Sequence, residues 1–116
     1  MKVAYREAAR DDVVRQFRYY LVAAGVPEIA IRFRNAVRDT VQSLRQHPLL
    51  GSRYQLRNTR LRGLRSWPVA GFEAIRVYYL TDDDTVRVVR VLHGKRDVKR
   101  ILEHESTADD GPVTSS

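Results

Sequence analysis

Residues 7–47 decide the fold, and they read EAARDDVVRQFRYYLVAAGVPEIAIRFRNAVRDTVQSLRQH. Apolar residues recur in this stretch at intervals of three and four, the spacing of amphipathic helices that bury one face. Gly25 stands where a left-handed helix cap is expected, and Pro27 suits only the first turn of a second helix. Such a short connection forces the two helices to lie antiparallel, so the stretch predicts a helical hairpin that ends by His47. The two apolar stripes comprise Ala9, Val13, Phe17, Tyr20, Leu21 and Ala24, then Ile29, Phe33, Val37, Val41 and Leu44.

Shorter extended segments flank the hairpin. Lys2 to Arg6 alternates apolar and polar side chains, as an edge strand does. The stretches Leu61–Val69, Phe72–Leu80 and Val86–His93 predict three antiparallel strands, followed by a short helix that Asp97 can cap. The fold class is therefore α+β: an N-terminal strand and an α-helical hairpin packed on a small antiparallel sheet, with a short C-terminal helix.

Two details of the strands are also predicted. Strict alternation along Val86–His93 places Val86, Val88 and Leu92 on one face and Val89 and Val91 on the other, which indicates a central strand. Gly63 marks either a bulge or a close approach of two backbones.

The length and composition predict one intracellular domain. The chain has 116 residues and no cysteine, which excludes disulfides, thiolate nucleophiles and cysteine-ligated zinc. It contains no apolar run long enough for a signal peptide or a membrane span. We therefore expect a soluble, cytoplasmic protein with no membrane partner. Residues 1–105 form the predicted domain, and the Ser/Thr/Asp/Gly/Pro-rich residues 106–116 form a predicted disordered tail.

Charge is the most informative bulk property. The formal net charge is +7, yet no acidic residue occurs between Asp39 and Glu73. A positive segment of this kind attracts phosphates or an acidic partner, although an ordinary solvated surface is the alternative. The arginines in this window are Arg45, Arg53, Arg57, Arg60, Arg62 and Arg65.

Familiar catalytic constellations do not occur in the sequence. The three histidines are scattered, and Asp11 and Asp12 would point about 100° apart on a helix, which rules out a carboxylate dyad. The run Asp82–Asp84 is better explained as a hairpin tip than as a cation site. We therefore expect no metal, no cofactor and no covalent mechanism. An acid–base mechanism run by arginine and lysine stays open, but it would be weak without a histidine or a positioned tyrosine to move the proton. Among the aromatic residues, we expect Tyr79 and Trp67 to be in the core and Tyr54 to be exposed between arginines.

Several stretches, taken in order, resemble a toxin family. They are Ala9-Arg10-Asp11-Asp12, His47-Pro48-Leu49-Leu50-Gly51, Leu61-Arg62-Gly63-Leu64-Arg65, Val77-Tyr78-Tyr79, and the strand Val89–Leu92 running into His93-Gly94-Lys95-Arg96-Asp97. Together they look like the RelE/ParE toxins of bacterial type II toxin–antitoxin systems, over residues 2 to about 104. The family fold is a helical hairpin packed on an antiparallel sheet.

The resemblance implies one of two activities. RelE-like members are ribosome-dependent mRNA endoribonucleases that use sheet lysines and arginines with a C-terminal tyrosine. ParE-like members inhibit DNA gyrase and so block replication. This chain has no tyrosine after Arg96 and no lysine pair beside Arg62 and Arg65, which favours the ParE branch. The ParE-like resemblance implies a protein that inhibits by binding, with no catalytic residue. A nucleic-acid-binding domain without toxicity is a third, less favoured interpretation.

The resemblance also implies partners and surfaces. Toxins of this family are neutralised in a hetero-oligomer by a cognate antitoxin, whose acidic, otherwise disordered part folds over the toxin. We expect its apolar groove where the hairpin meets the sheet. The candidates are Val13, Phe17, Tyr20 and Phe33, and the sequence leaves open which of them line the groove and which belong to the core. The basic patch expected to face the target comprises Arg53, Arg57, Arg60, Arg62, Arg65 and Arg96.

Overall fold

The computed structural model of the chain describes residues 1–105, and the predicted tail at 106–116 lies outside the described residues. In chain order the elements are β1 (Lys2–Tyr5), α1 (Glu7–Arg18), a π-helical segment (Tyr19–Ala23), α2 (Pro27–Gln46), β2 (Ser52–Arg53), a 3₁₀ turn (Thr59–Leu61), β3 (Arg65–Val69), β4 (Phe72–Thr81), β5 (Thr85–His93) and α3 (Val98–Glu103).

The helical hairpin is confirmed, with one local difference. Gly25 adopts φ 66° between the helices, and Pro27 starts α2 as predicted. The first helix does not continue as α-helix to Ala24, because its last turn widens into the π-helical segment, in which the Ala24 N–H donates to the Tyr19 carbonyl at 3.0 Å. Leu21, predicted to lie on the apolar stripe, is consequently exposed.

The sheet has five strands in the order β1-β5-β4-β3-β2. The predicted antiparallel pairing of the last three strands is confirmed, and β5 is central, between β1 and β4. The edge strand β1, however, runs parallel to β5, with Tyr5 opposite Val88, so the sheet is mixed. Parallel pairing becomes possible because the whole hairpin and three further strands, β2 to β4, lie between β1 and β5 in the chain.

A β-bulge changes which residues of β5 face which side. Tyr78 pairs with Arg90 and Tyr79 pairs with Val88, so that Val89 is an extra residue opposite β4. The extra residue reverses the alternation beyond it. The predicted facing of Val91 and Leu92 is therefore wrong: Val91 joins Val88 in the first core, and Leu92 joins Val89 in the second.

Each face of the sheet carries its own core. The first core lies between the hairpin and the sheet and includes Phe33, Leu44 and Tyr79. The second includes Leu61 and Leu102, and it packs the segment between β2 and β3 together with α3 onto the other face. The segment between β2 and β3, which is rich in arginine, therefore lies beside α3.

Two further predictions need correction. Gly63 has φ 84° and open space around it, so it forms a turn before β3 rather than a bulge or a close backbone approach. The close approach occurs instead at Gly51, where an added Cβ would lie 2.7 Å from the Tyr79 hydroxyl. Asp97 stands at the cap position of α3, but its side chain makes no capping hydrogen bond.

Candidate functional site

The segment from β2 to the start of β3 presents a cluster of arginines. We call residues 53–64 the basic loop. Arg53, Arg57, Arg60 and Arg62 are all exposed there, and none of their guanidinium groups makes an ion pair or hydrogen bond to another of residues 1–105. Three of the four, Arg53, Arg57 and Arg62, line one shallow cavity of about 230 Å³. The loop therefore offers several unpaired cations around one concave surface.

Contacts to α3 hold the basic loop in place. The Glu103 carboxylate accepts hydrogen bonds from the backbone N–H groups of Arg57 and Asn58, both at 2.9 Å. The Asn58 side-chain amide donates to the carbonyls of Leu102 and Glu105, also at 2.9 Å, while its oxygen accepts from the Arg60 N–H at 3.1 Å. The backbone that carries the arginines is thus fixed by polar groups rather than free in solvent.

The structure does not place all six predicted patch residues together. Arg65 is half-buried, and its Nη1 donates to the Gly51 carbonyl at 2.6 Å, so it braces the turn after α2. Arg96 is exposed beyond β5 and lines a different cavity, together with Arg100 of α3 and His104 just after it. The patch as predicted is therefore divided between the basic loop, the β3 edge and the α3 region.

The aromatic residues near the loop differ from expectation at one position. Tyr79 is fully buried, as predicted, and Trp67 packs half-buried against the first core. Tyr54 is not exposed: its ring packs edge-on against the ring of Tyr78 at a centroid distance of 5.4 Å. Burial raises the pKa of Tyr78, and the neighbouring Tyr54 raises it further. The ring contact between Tyr54 and Tyr78 therefore fastens the loop to β4.

Three of the four candidates for an antitoxin groove pack against the first core. Phe33 is fully buried and packs against the rings of Tyr20 and Phe72, so this candidate belongs to the core. Val13 and Tyr20 are partly buried against the same core, and the guanidinium of Arg34 covers the half-buried Phe17 ring at 5.6 Å. The periodic stripe that identifies a helix is its core-facing side, so it points away from a docking surface.

Three exposed apolar side chains lie together on α1 and the π-helical segment that follows it. Val14 is 51% exposed, Tyr19 is 54% exposed and Val22 is 71% exposed. They share an open groove of about 500 Å³, which we call the α1 surface, and Arg15 and Arg18 flank it. Sequence reasoning missed this surface, although Val14 and Val22 stood out as apolar residues off the periodic stripe.

A buried charge network lies beneath α1. The Asp12 carboxylate accepts hydrogen bonds from Arg90 Nε at 2.7 Å, from Arg90 Nη2 at 2.8 Å and from the Val91 N–H at 3.0 Å. Arg90 Nη1 also donates to the Glu105 carboxylate at 3.0 Å. The hydrogen bonds from Arg90 to Asp12 are the main cause of the raised pKa of Arg90. Sequence reasoning considered Asp12 only as half of a catalytic dyad and missed this structural role.

The described residues offer little for other chemistries. No cluster of three or more histidine, aspartate or glutamate side chains within residues 1–105 is arranged to hold a metal ion. No helix in the described part of the chain has the length and apolar character needed to cross a bilayer. The surfaces that stand out are therefore the basic loop and the α1 surface.

Comparison with known proteins identifies the family. The family model described as the ParE toxin of the type II toxin–antitoxin system parDE matches residues 3–98. The chain belongs to the ParE toxin family. The resemblance found in the sequence is thereby confirmed at the level of the family, and the branch favoured there is the one matched.

Solved structures agree on the fold of this ParE-family protein. A chain described as the chromosomal ParDE TA system from P. aeruginosa matches with a TM-score of 0.63 and 18% identity, covering 80% of this chain and 95% of that chain. No curated protein gives a significant match. At this identity the likeness shows the α+β fold, and it leaves the roles of individual residues as predictions.

Proposed function

We propose that this ParE-family protein inhibits DNA gyrase, and so replication, and that a cognate antitoxin neutralises it. The observation that carries the proposal is the family match over residues 3–98. Inhibition by binding requires no catalytic residue and no cofactor, and we assign none. The protein then acts in the cytoplasm, where its proposed target handles DNA.

The basic loop is the proposed contact with the target. Arg53, Arg57, Arg60 and Arg62 are exposed and carry no counter-charge among residues 1–105. Arginine in such a position binds carboxylates and phosphates through its fork of donors. A complex of an enzyme with DNA presents both groups, so the loop suits this kind of target.

The α1 surface is the proposed antitoxin contact. Its apolar centre at Val14, Tyr19 and Val22 suits the apolar face of an amphipathic segment, and Arg15 and Arg18 suit acidic residues on either side of that face. Opposite charge would also speed association with an acidic antitoxin. The π-helical segment that carries Tyr19 and Val22 is a feature found often at functional sites. The resulting complex is a hetero-oligomer of toxin and antitoxin.

The target is tested with purified protein and purified gyrase. We expect loss of supercoiling and accumulation of cleaved DNA complexes, with no cutting of mRNA in a translating extract. Cleavage of transcripts on the ribosome with gyrase unaffected would overturn the proposal and establish a RelE-like endoribonuclease instead.

Charge reversal tests the role of the basic loop in inhibition. The triple variant R57E/R60E/R62E should lose gyrase inhibition, because three exposed cations become anions. The control R32E/R38E/R45E makes the same charge change on exposed positions of α2 and should retain inhibition. Equal inhibition by both folded variants would show that the loop is not the target contact.

The antitoxin contact is tested at Val22. Val22→Asp should weaken binding of the antitoxin encoded by the neighbouring reading frame at least tenfold, because the change puts a charge in the apolar centre without disturbing a core. Ile31→Asp, at an exposed apolar position of α2, is the control and should bind normally. Isothermal titration measures both, and unchanged affinity of V22D would place the antitoxin elsewhere.

A further inference from the structure

The basic loop lacks the apolar centre that stable protein interfaces have. The exposed large apolar side chains of residues 1–105 lie in the hairpin, at the N-terminus and at Leu49 and Leu50, and none lies within residues 53–64. Protein interfaces derive most of their affinity from buried aromatic and aliphatic anchors surrounded by a polar rim. The loop is polar at its centre, so a flat protein surface is a poor match for it.

The polar side chains that surround the loop cavity are those that contact nucleic-acid backbones. Besides Arg53, Arg57 and Arg62, the lining includes Gln55, Asn58 and Thr59. The apolar lining residues are buried or half-buried in the second core: Tyr54, Leu56, Leu61 and Leu64. Phosphate oxygens in protein–DNA complexes are bound mainly by arginine and lysine, by serine, threonine, asparagine and glutamine, and by backbone N–H groups. The composition of the cavity therefore matches a phosphodiester chain.

The acidic groups nearby leave this positive surface open. No acidic residue occurs between Asp39 and Glu73. The Glu103 carboxylate does contact the loop, but it is directed at the backbone N–H groups of Arg57 and Asn58 rather than at a guanidinium. Glu103 thus shapes the loop while the arginine side chains point to solvent without a carboxylate partner among residues 1–105.

The loop is also ordered before any ligand binds. Hydrogen bonds between Asn58 of the loop and Leu102 and Glu103 of α3 hold it in place. Leu61 and Leu64 anchor it in the second core, and the Tyr54 N–H donates to the Leu64 carbonyl at 2.8 Å. A preorganised surface loses little conformational entropy when it binds. The arginines are therefore displayed at fixed points on a rigid frame rather than on a flexible tail.

We propose that the basic loop binds the phosphodiester backbone of duplex DNA, without reading its sequence. The inference deepens the proposed function, on which its biological meaning rests: the toxin would contact the DNA held by gyrase as well as the enzyme. Three arginines around one cavity correspond to about three phosphate contacts, and each contact contributes about −0.9 to the slope of log affinity against log salt. Affinity should then fall about 40-fold between 50 and 200 mM KCl.

The test measures DNA binding by the full chain in the absence of gyrase. Fluorescence anisotropy with a labelled 20-base-pair duplex, repeated for several unrelated sequences, should give similar affinities and the stated salt dependence. The variant R53Q/R57Q/R62Q should lose most of the binding and most of the slope. The control R32Q/R38Q/R45Q removes the same charge from α2 and should keep the wild-type DNA affinity and salt dependence. The variant R53K/R57K/R62K should show the wild-type salt dependence, because lysine keeps the charge.

The possible outcomes separate this inference from the proposed function. Absence of wild-type binding at 50 mM KCl, or equal losses in the loop and control variants, would overturn the DNA contact whether or not gyrase is inhibited. Preferential binding of a single-stranded RNA of equal length would overturn it in favour of an RNA ligand. If the wild-type protein binds DNA through the loop but leaves gyrase fully active, the DNA contact is upheld and only the proposed gyrase inhibition is refuted.

Discussion

Replacing Asp12 by alanine should strongly destabilise the fold, although Asp12 lies on the surface helix α1. Its side chain is only 2% exposed and accepts two hydrogen bonds from Arg90 and one from the Val91 N–H. The substitution removes both carboxylate oxygens, and with them these three hydrogen bonds and a longer one of 3.4 Å from Arg15. Arg90, whose side chain is 14% exposed, then keeps its charge next to a space that no carboxylate fills.

The size of the effect follows from what remains after the substitution. Removing one partner of a buried ion pair costs about 3–5 kcal/mol, because the other charge stays buried without compensation. Arg90 retains its 3.0 Å contact with Glu105, so we expect a loss near the lower end, about 3 kcal/mol. Domains of this size have about 5–15 kcal/mol of stability, so the loss is a large part of the total. Asp11 is exposed, and Asp11→Ala should change stability by less than about 0.5 kcal/mol.

Urea denaturation followed by far-UV circular dichroism measures both variants. We expect the D12A midpoint to shift to clearly lower urea with an unchanged slope, and the D11A midpoint to stay with that of the wild type. If D12A lowers the free energy of unfolding by less than about 1 kcal/mol, the reasoning is refuted, because water must then solvate Arg90 once its partner is gone.

Three further outcomes are expected. Gly51→Ala should cost about 1–3 kcal/mol in chemical denaturation, because its Cβ would meet the Tyr79 hydroxyl at 2.7 Å, whereas Gly94→Ala, whose Cβ would lie 3.4 Å from the nearest atom, should cost less. Burial raises the pKa of Tyr79 above its ordinary value of 10.0, so the hydroxyl loses its proton at a lower pH in the unfolded chain than in the folded protein. The contribution of the protonated hydroxyl to the free energy of unfolding is therefore present below pH 10 and is lost as the pH rises above it. The melting temperature of Tyr79→Phe should therefore decrease less steeply with pH than that of the wild type over that alkaline range. Asn58→Ala should speed amide exchange in α3, while Gln55→Ala, at an exposed loop position, should not.

Features decided by neighbouring residues could be predicted from the sequence. The hairpin follows from apolar spacing and from the conformations available to Gly25 and Pro27, which act within one turn of chain. The strands β4 and β5 follow from their β-branched and aromatic residues, and the exposure of the loop arginines follows from the polar segment around them. Local chemistry is enough in each of these cases.

The sequence could not show which of these charged and apolar groups would be free. Arg65 and Arg62 look alike in the sequence, yet Arg65 is held by the Gly51 carbonyl while Arg62 faces the loop cavity. Similarly, Tyr19 and Tyr20 are adjacent in the sequence and look alike. Tyr20 packs on Phe33 in the core, whereas Tyr19 lies on the surface. A side chain becomes available to a partner only when no other part of the chain reaches it first.

By itself, then, the sequence determined the hairpin, the strands and the positive segment, because each depends on residues a few positions apart. It also determined the family resemblance, because short local motifs recur there in a fixed order. Only the tertiary structure decided the parallel pairing of β1 with β5, the bulge at Val89 and the contact of Asp12 with Arg90. These features join parts of the chain that are distant in sequence. Burial and pairing between these distant parts stabilise the features, so no local pattern of residues predicts them.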